Sequence, residues 1–173
     1  MYKIDLNSDL GEGFGAYKMG ADEEIIRYVT AANVACGWHA GDPMIMDRTV
    51  KMAKENNVVV GAHPSYPDLV GFGRRKMVLS PMEIKNDMKY QIGALMAFTK
   101  SEGMKLHHVA PHGALGNQCQ NDRDVARAIC EAVYEVDPEL IIYYCAGAVL
   151  GGKQKRSDCA PLRRFLWIAR TWM

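Results

Sequence analysis

Short apolar runs alternate with helix-like stretches along most of this chain, and four of those runs break directly into polar, glycine-rich turns. The turns read Asp5-Leu-Asn-Ser-Asp-Leu-Gly-Glu12, Cys36-Gly-Trp-His-Ala-Gly-Asp-Pro43, Gly61-Ala-His-Pro-Ser-Tyr-Pro-Asp68 (continuing to Gly71-Phe-Gly-Arg-Arg75) and Pro111-His-Gly-Ala-Leu-Gly-Asn117. Regular strand–helix alternation predicts an α/β fold with a parallel sheet covered by helices. In such folds the loops after the carboxyl ends of the strands carry function. All four turns occupy that position, which predicts one shared site.

The boundaries follow from local chemistry. Strands are expected at Tyr2–Asn7, Val29–Ala35, Val58–Ala62, Leu106–Ala110 and Glu139–Tyr144. Acidic residues at the start of Asp22–Tyr28 suit the positive end of a helix dipole. Asp42-Pro43 reads as an N-cap followed by proline at the first helical position, opening a helix to about Asn57. Ser80 with Glu83 three residues on is a capping box at the head of a long helix ending near Gly103. Asp122–Val136 is the last expected helix.

At 173 residues with 49% hydrophobic content, the chain can bury one substantial core. A formal net charge of +1 argues against a nucleic-acid or membrane-surface partner. No run approaches the roughly 20 apolar residues a membrane helix needs, and the first residues lack a leader pattern, so a cytoplasmic protein is expected. Cys36, Cys119, Cys130, Cys145 and Cys159 show no CxxC spacing, which predicts free thiols in a reducing compartment. Composition changes near residue 151. The segment 152–173 has six Lys or Arg against one acid, which leaves a mildly acidic body and a basic tail.

Asp5, Asn7 and Asp9 alternate in an extended segment and should share one face, suited to metal binding or acid–base work; Asx-turn hydrogen bonding is the alternative. Glu12 sits between two glycines. His39, His63 and His112 occupy matching places after three strands, as metal ligands or acid–base groups. Arg74 and Arg75 follow Gly71 and Gly73, a pattern suited to bidentate phosphate or carboxylate binding. Asn117 lies behind His112. His107 and His108 fall within a strand and receive no role.

Together the strings LNSDLGEGFGAY, ANVACGWHAGDP, GAHPSYPDLVGFGRR and PHGALGN resemble the LamB/YcsF family, the A subunits of 5-oxoprolinase, over residues 1 to about 151. The resemblance implies a distorted (β/α) barrel of the glycoside hydrolase/deacetylase type. It also implies ATP-dependent opening of 5-oxoproline to L-glutamate, together with 5-oxoprolinase subunits B and C as partners. That chemistry needs phosphate-binding cations, a metal-holding acid and a base for water. Asp5, Asp9, Glu12, His63 and His112 are therefore the expected catalytic residues. Asn7, His39, Arg74, Arg75 and Asn117 are the expected substrate or phosphate contacts. A divalent ion would fall to Asp5, His39 and His63. Two positions depart from the family pattern V-K-P-H-G-A-L-Y-N: Ala110 replaces its lysine and Gly116 its tyrosine. Trp38 stands for a phenylalanine.

A complete barrel needs roughly 250 residues, so the expected architecture is an incomplete barrel of about five strands over 1–151, followed by the foreign tail 152–173. Advancing the reading frame of the tail by two bases forces aspartate at Trp167-Ile168 and at Trp172-Met173, since Trp and Met have single codons. Permitted codons then give the A-S-E-V-F and D-R-T-Y segments of the family, which predicts a frameshift near Gly151–Lys155. A native basic extension with an amphipathic helix over Leu162–Ile168 is the alternative. Two other functions stay open: a metal-dependent carbohydrate deacetylase or amidohydrolase, and an inactive truncated product.

Overall fold

The structure, a computed structural model, describes residues 5–145 and 165–168. Six strands form one sheet: β1 (Asn7–Leu10), β2 (Ala31–Ala35), β3 (Val59–His63), β4 (His108–Val109), β5 (Ile141–Cys145) and β6 (Phe165–Ile168). Their spatial order equals their chain order, and every neighbouring pair is parallel. Sequential parallel strands joined by right-handed crossovers place all their helices on one side of the sheet. This is the winding of a (β/α) barrel, whereas a doubly wound sheet reverses its order at a switch point.

The helices are α1 (Asp22–Ile25), α2 (Pro43–Glu55), α3 (Pro81–Ser101), α4 (Gly113–Gln118) and α5 (Arg123–Val136). The Asp42 side chain caps α2 by accepting from the Met44 and Ile45 amides, and Ser80 with Glu83 forms the expected capping box of α3. Asp122 caps α5 in the same way as Asp42 caps α2. Lys85 pairs with Glu131 and Glu135, and Lys89 with Glu135, tying α3 to α5 across their exposed rims. Among the described residues no helix is long and apolar enough to cross a membrane.

The two faces of the sheet differ in chemistry. Ala32, Val34, Val60, Ala62, Val109 and Ile142 point toward the helices and join Leu10, Val50, Ile84, Met88, Ile92, Leu95, Ile129 and Val133 in the core. The opposite face carries Asn7, Asp9, Asn33, Gly61, His63, His108 and Tyr143, because side chains alternate along each strand and Asp9, Asn33, Gly61 and His108 lie in register. An inward face this polar is unusual for a structural core, and it faces the barrel axis.

Several expectations need correction. β1 begins at Asn7, where the first strand is expected to end; residues 2–4 of that expected strand lie outside the described residues. The five expected strands are all present, and among the described residues a sixth, β6, extends the sheet from inside the basic tail. Phe165–Ile168 pairs with Ile142–Cys145, so this stretch is a strand and not the amphipathic helix considered over Leu162–Ile168. Its large apolar side chains suit a sheet position as well as a helix face. The short helix α4 has no counterpart among the expected elements, since two of its six residues are glycines. Cys36 and Cys119 are buried thiols outside any disulfide, but Cys130 is disulfide-bonded, against the expectation of free thiols. Spacing in sequence is a poor guide to which thiols a fold brings together.

Candidate functional site

The loops after the first strands are fastened to each other. The Gly41 amide donates to the Gly13 carbonyl at 2.7 Å, and the Gly15 amide donates to Asp42 at 2.8 Å. Asp42 therefore caps α2 and holds the first loop with the same carboxylate. This clamp sets Glu12 against His39, with Oε1 3.1 Å from Nε2. Further on, Asp68 accepts from the Gly71 amide at 2.9 Å and from Arg75 Nε at 2.9 Å, folding the third loop back on itself.

That fold-back delivers Phe72 and Gly73 to the histidines. Phe72 has φ 54°, a left-handed conformation rare for a bulky residue and found where surrounding structure enforces it. Its carbonyl accepts from His112 Nε2 at 2.8 Å, and its ring lies edge-on to both His39 and His112. Gly73 follows at φ +63°; a Cβ there would come within 2.8 Å of His112 Cδ2 and 2.9 Å of His39 Cβ. Only glycine allows this backbone to touch both rings.

Four side chains then converge. Donor atoms of Glu12, His39, His63 and His112 all lie within 4.8 Å of one another. His63 Nε2 is 2.9 Å from His112 Nδ1 and 4.0 Å from Glu12 Oε1, and His112 Nδ1 is 3.7 Å from that same oxygen. The rings of His39 and His112 are stacked at 3.8 Å between centroids. All three imidazoles are buried, whereas Glu12 is partly open. The arrangement is a possible metal-binding group.

Electrostatics separate the members of the cluster. Burial, with the neighbouring His63 charge, holds His39 down at about 3. Burial, His63 and His39 hold His112 down at about 4. Burial also depresses His63, but Asp9 and Glu12 outweigh it and raise this ring above an ordinary histidine. Burial raises the Glu12 carboxyl more than the His63 charge lowers it. For Asp9, burial opposes ionisation, but His63, Asn33 and His112 more than offset it and keep the group below the usual carboxylate range. Of the three rings, His63 is thus the one whose surroundings favour a positive charge, whereas His39 and His112 are held neutral.

Asp9 reaches the site from the inward face of the sheet, with Oδ1 3.4 Å from His63 Nε2. Behind it runs a hydrogen-bonded ladder. Asn33 Nδ2 donates to Asp9 at 2.8 Å and to Asn7 at 3.1 Å, and Asn33 Oδ1 is 2.7 Å from His108 Nε2. His108 is neutral, its pKa pushed down to about 3 by burial and then by His107. His108 stacks on Tyr143 at 4.0 Å, and the Tyr143 hydroxyl donates to Asp5. Sequence reasoning assigns Asn33, His108, Tyr143 and Phe72 no part. A signal for Asn33 exists: it is the one polar residue in the otherwise small and apolar strand Ala31–Ala35.

The remaining expected residues divide. Asp5 does not join the cluster; it accepts from Thr30 and Tyr143 at the far end of the ladder. Asn7 contacts Asn33. Arg75 is engaged by Asp68, whose side chain is 1% exposed. Arg74 is exposed, with its guanidinium 5.7 Å from the centre of the Phe72 ring and its charge acting on Glu12 and His39. Asn117 stands exposed on α4. Ala110, where the family pattern has lysine, is buried, and its carbonyl accepts from His63 Nδ1 at 2.5 Å. Gly116 is held tightly, since a Cβ there would lie 2.4 Å from the Pro111 carbonyl oxygen. Trp38 stacks on Tyr90 at 5.6 Å. A groove of about 500 Å³ between α1 and α2 shares no residue with this cluster.

A sequentially wound parallel sheet with a His–carboxylate cluster beyond its strand ends defines a (β/α)-barrel-type protein with the makings of a hydrolytic centre. Residues 4–166 match the LamB/YcsF family, and the chain belongs to it. It is 60% identical over 146 residues to the 5-oxoprolinase A subunit of Pyrococcus furiosus, covering 84% of this chain and 57% of that protein. The 5-oxoprolinase A subunit of Alkaliphilus metalliredigens is 59% identical over 142 residues, 82% of this chain and 56% of its own length. The chain therefore spans little more than half of these relatives. The crystal structure of a lactam utilization protein from Thermus thermophilus superposes with a TM-score of 0.90 at 48% identity, over 96% of this chain and 66% of that one.

Proposed function

We propose that this chain acts as the A subunit of an ATP-dependent 5-oxoprolinase, opening the lactam of 5-oxoproline to L-glutamate with subunits B and C. The observation that carries the reading is the convergence of Glu12, His39, His63 and His112 at the strand ends of a chain 60% identical to a protein of that name. A lactam is a stable amide. Transfer of the ATP γ-phosphoryl group to its oxygen makes the ring carbon electrophilic, with ADP as leaving group. Water then adds to that carbon, the C–N bond breaks, and nitrogen takes a proton as it becomes the amine. A second water releases phosphate.

The residues divide the work by position and charge. Asp9, ionised and held by Asn33, would move a proton between water and the departing nitrogen. Arg74 is the cation turned toward the phosphorylated oxygen, while Arg75 supports the loop through Asp68. Glu12, His39 and His112 are the candidates to hold a divalent ion beside it, with His63. This reading requires a substrate-derived anion at Arg74, so Arg74→Ala should raise the KM for the phosphoryl donor or the lactam by about tenfold or more.

The test is turnover of 5-oxoproline by the full chain combined with subunits B and C. L-Glutamate and phosphate should appear only when ATP is present, and Asp9→Asn should abolish both. Absence of glutamate from the intact assembly would overturn the reading. Release of acetate from an N-acetylated sugar without ATP would favour the deacetylase reading in its place.

A further inference from the structure

We propose that Glu12, His39, His63 and His112 form the binding site for a single transition-metal ion of the zinc class. Hydrogen bonds fix the tautomers of the two central rings. His63 Nδ1 faces the Ala110 carbonyl and His112 Nε2 faces the Phe72 carbonyl at 2.8 Å. A carbonyl oxygen only accepts, so both of these nitrogens carry hydrogen. In neutral imidazoles the opposite nitrogens, His63 Nε2 and His112 Nδ1, then present lone pairs. These two atoms are 2.9 Å apart and face the Glu12 carboxylate as well.

Two lone pairs and a carboxylate aimed at one point, with Asp9 Oδ1 3.4 Å from His63 Nε2, suit a cation there. A proton on one ring satisfies a single pair. A metal ion satisfies all of them, together with His39 Nε2 3.1 Å from Glu12. The separations fit. Zinc-to-nitrogen bonds of about 2.0–2.1 Å in a tetrahedron give ligand–ligand edges of about 3.3 Å. Four of the six edges are 2.9, 3.1, 3.7 and 4.0 Å and all lie within 4.8 Å, on both sides of that value. Three imidazoles and one carboxylate oxygen suit zinc, cobalt or a similar ion; magnesium and calcium take oxygen ligands. Backbone carbonyls that fix the second nitrogen of each ring are the usual outer support of metal-ligating histidines. The strained Phe72 backbone supplies one of them.

The same accounting ranks the ligands. His39 Nδ1 is buried and has no hydrogen-bond partner, so nothing fixes this ring's tautomer. His39 should contribute least. When bound, the ion supplies Lewis-acid polarisation of a carbonyl oxygen. Its use in lactam opening rests on the function proposed above; its binding does not.

The experiment measures binding to the full chain after chelation and re-addition of Zn²⁺ or Co²⁺, by calorimetry, metal analysis and visible absorption of the Co²⁺ form. One ion per chain is expected, with the intense absorption of a four-coordinate Co²⁺ site and a thermal midpoint raised by roughly 5–10 °C at about 100-fold excess over Kd. Millimolar Mg²⁺ should not displace it. His63→Ala and His112→Ala should weaken binding by roughly 100-fold or more, His39→Ala by about tenfold. Should a variant fail to fold, the Co²⁺ spectrum of the unaltered chain and of Glu12→Gln decides. No stoichiometric binding, a weak octahedral spectrum, displacement by Mg²⁺, or undiminished affinity in His112→Ala would each overturn the proposal. Tight binding without 5-oxoproline turnover would sink only the functional reading; full turnover by metal-free protein would sink only the metal's use in lactam opening.

Discussion

The polar ladder on the inward face depends on an absent methyl group. His108 extends from β4 across β3 to reach Asn33 on β2, and Gly61 lies beneath its ring. A Cβ at Gly61 would stand 2.1 Å from His108 Nε2, 2.2 Å from Cδ2 and 2.4 Å from Cε1. Gly61→Ala therefore cannot be accommodated by a small adjustment. The ring must leave, which breaks the 2.7 Å bond to Asn33 Oδ1 and strands a buried acceptor. Overpacking of a filled core costs about 1–3 kcal/mol, and an unpaired buried polar atom about 1–3 kcal/mol more. The expected destabilisation is thus about 2–6 kcal/mol. Gly61 lies in ordinary strand conformation, so alanine adds no backbone strain to confuse the result.

The assay is equilibrium urea unfolding of four chains: unaltered, Gly61→Ala, His108→Ala and the double variant, followed by far-ultraviolet circular dichroism. Once His108 is gone, the methyl group meets no ring, and Gly61→Ala should cost under about 0.5 kcal/mol in that background. The coupling between the two positions is then about 1.5 kcal/mol or more. Equal m values would show that the denatured state is unchanged. The same cost for Gly61→Ala in both backgrounds, or a cost near zero in the first, would refute the reading that the glycine exists to seat this histidine.

Acid should expose the same residue in another way. The His108 pKa is near 3 in the folded chain and about 6.5 when unfolded, so its contribution is full above pH 6.5 and is lost as pH falls toward 3. Roughly 5 kcal/mol is at stake, and His108→Gln should flatten the fall of the thermal midpoint between pH 6.5 and 4; an unchanged slope would count against it. Asp42→Ala removes an N-cap and the tie to Gly15, costing about 1 kcal/mol in urea unfolding and speeding amide exchange at Gly15; unchanged exchange would show that the loops are fastened elsewhere. We also propose that the reading frame shifts near Gly151–Lys155. Sequencing of the gene should show family-like codons in the shifted frame, and an uninterrupted frame without them would refute this.

What the sequence made legible was whatever depends on near neighbours. Ser80-Pro81-Met82-Glu83 closes its own capping box, and Asp42-Pro43 starts its own helix, so both helix starts can be placed without any tertiary contact. The three histidines can be grouped because topology puts every strand exit at one end of a parallel sheet. Distance in the third dimension is not legible. Asp5 and Asp9 look equivalent in an alternating segment, yet a few residues along the chain carry Asp5 to the Tyr143 end of the ladder and leave Asp9 beside His63. Arg74 and Arg75 look equivalent too, but successive side chains diverge, and the second is taken up by Asp68. The least legible feature is the support behind the site. A carbonyl has no letter of its own, so neither Phe72 nor Ala110 advertises that it orients a histidine. Their effect is to decide which nitrogen of each ring faces the centre, and that decision turns three buried imidazoles and a glutamate from a hydrogen-bonded cluster into a set of aligned lone pairs.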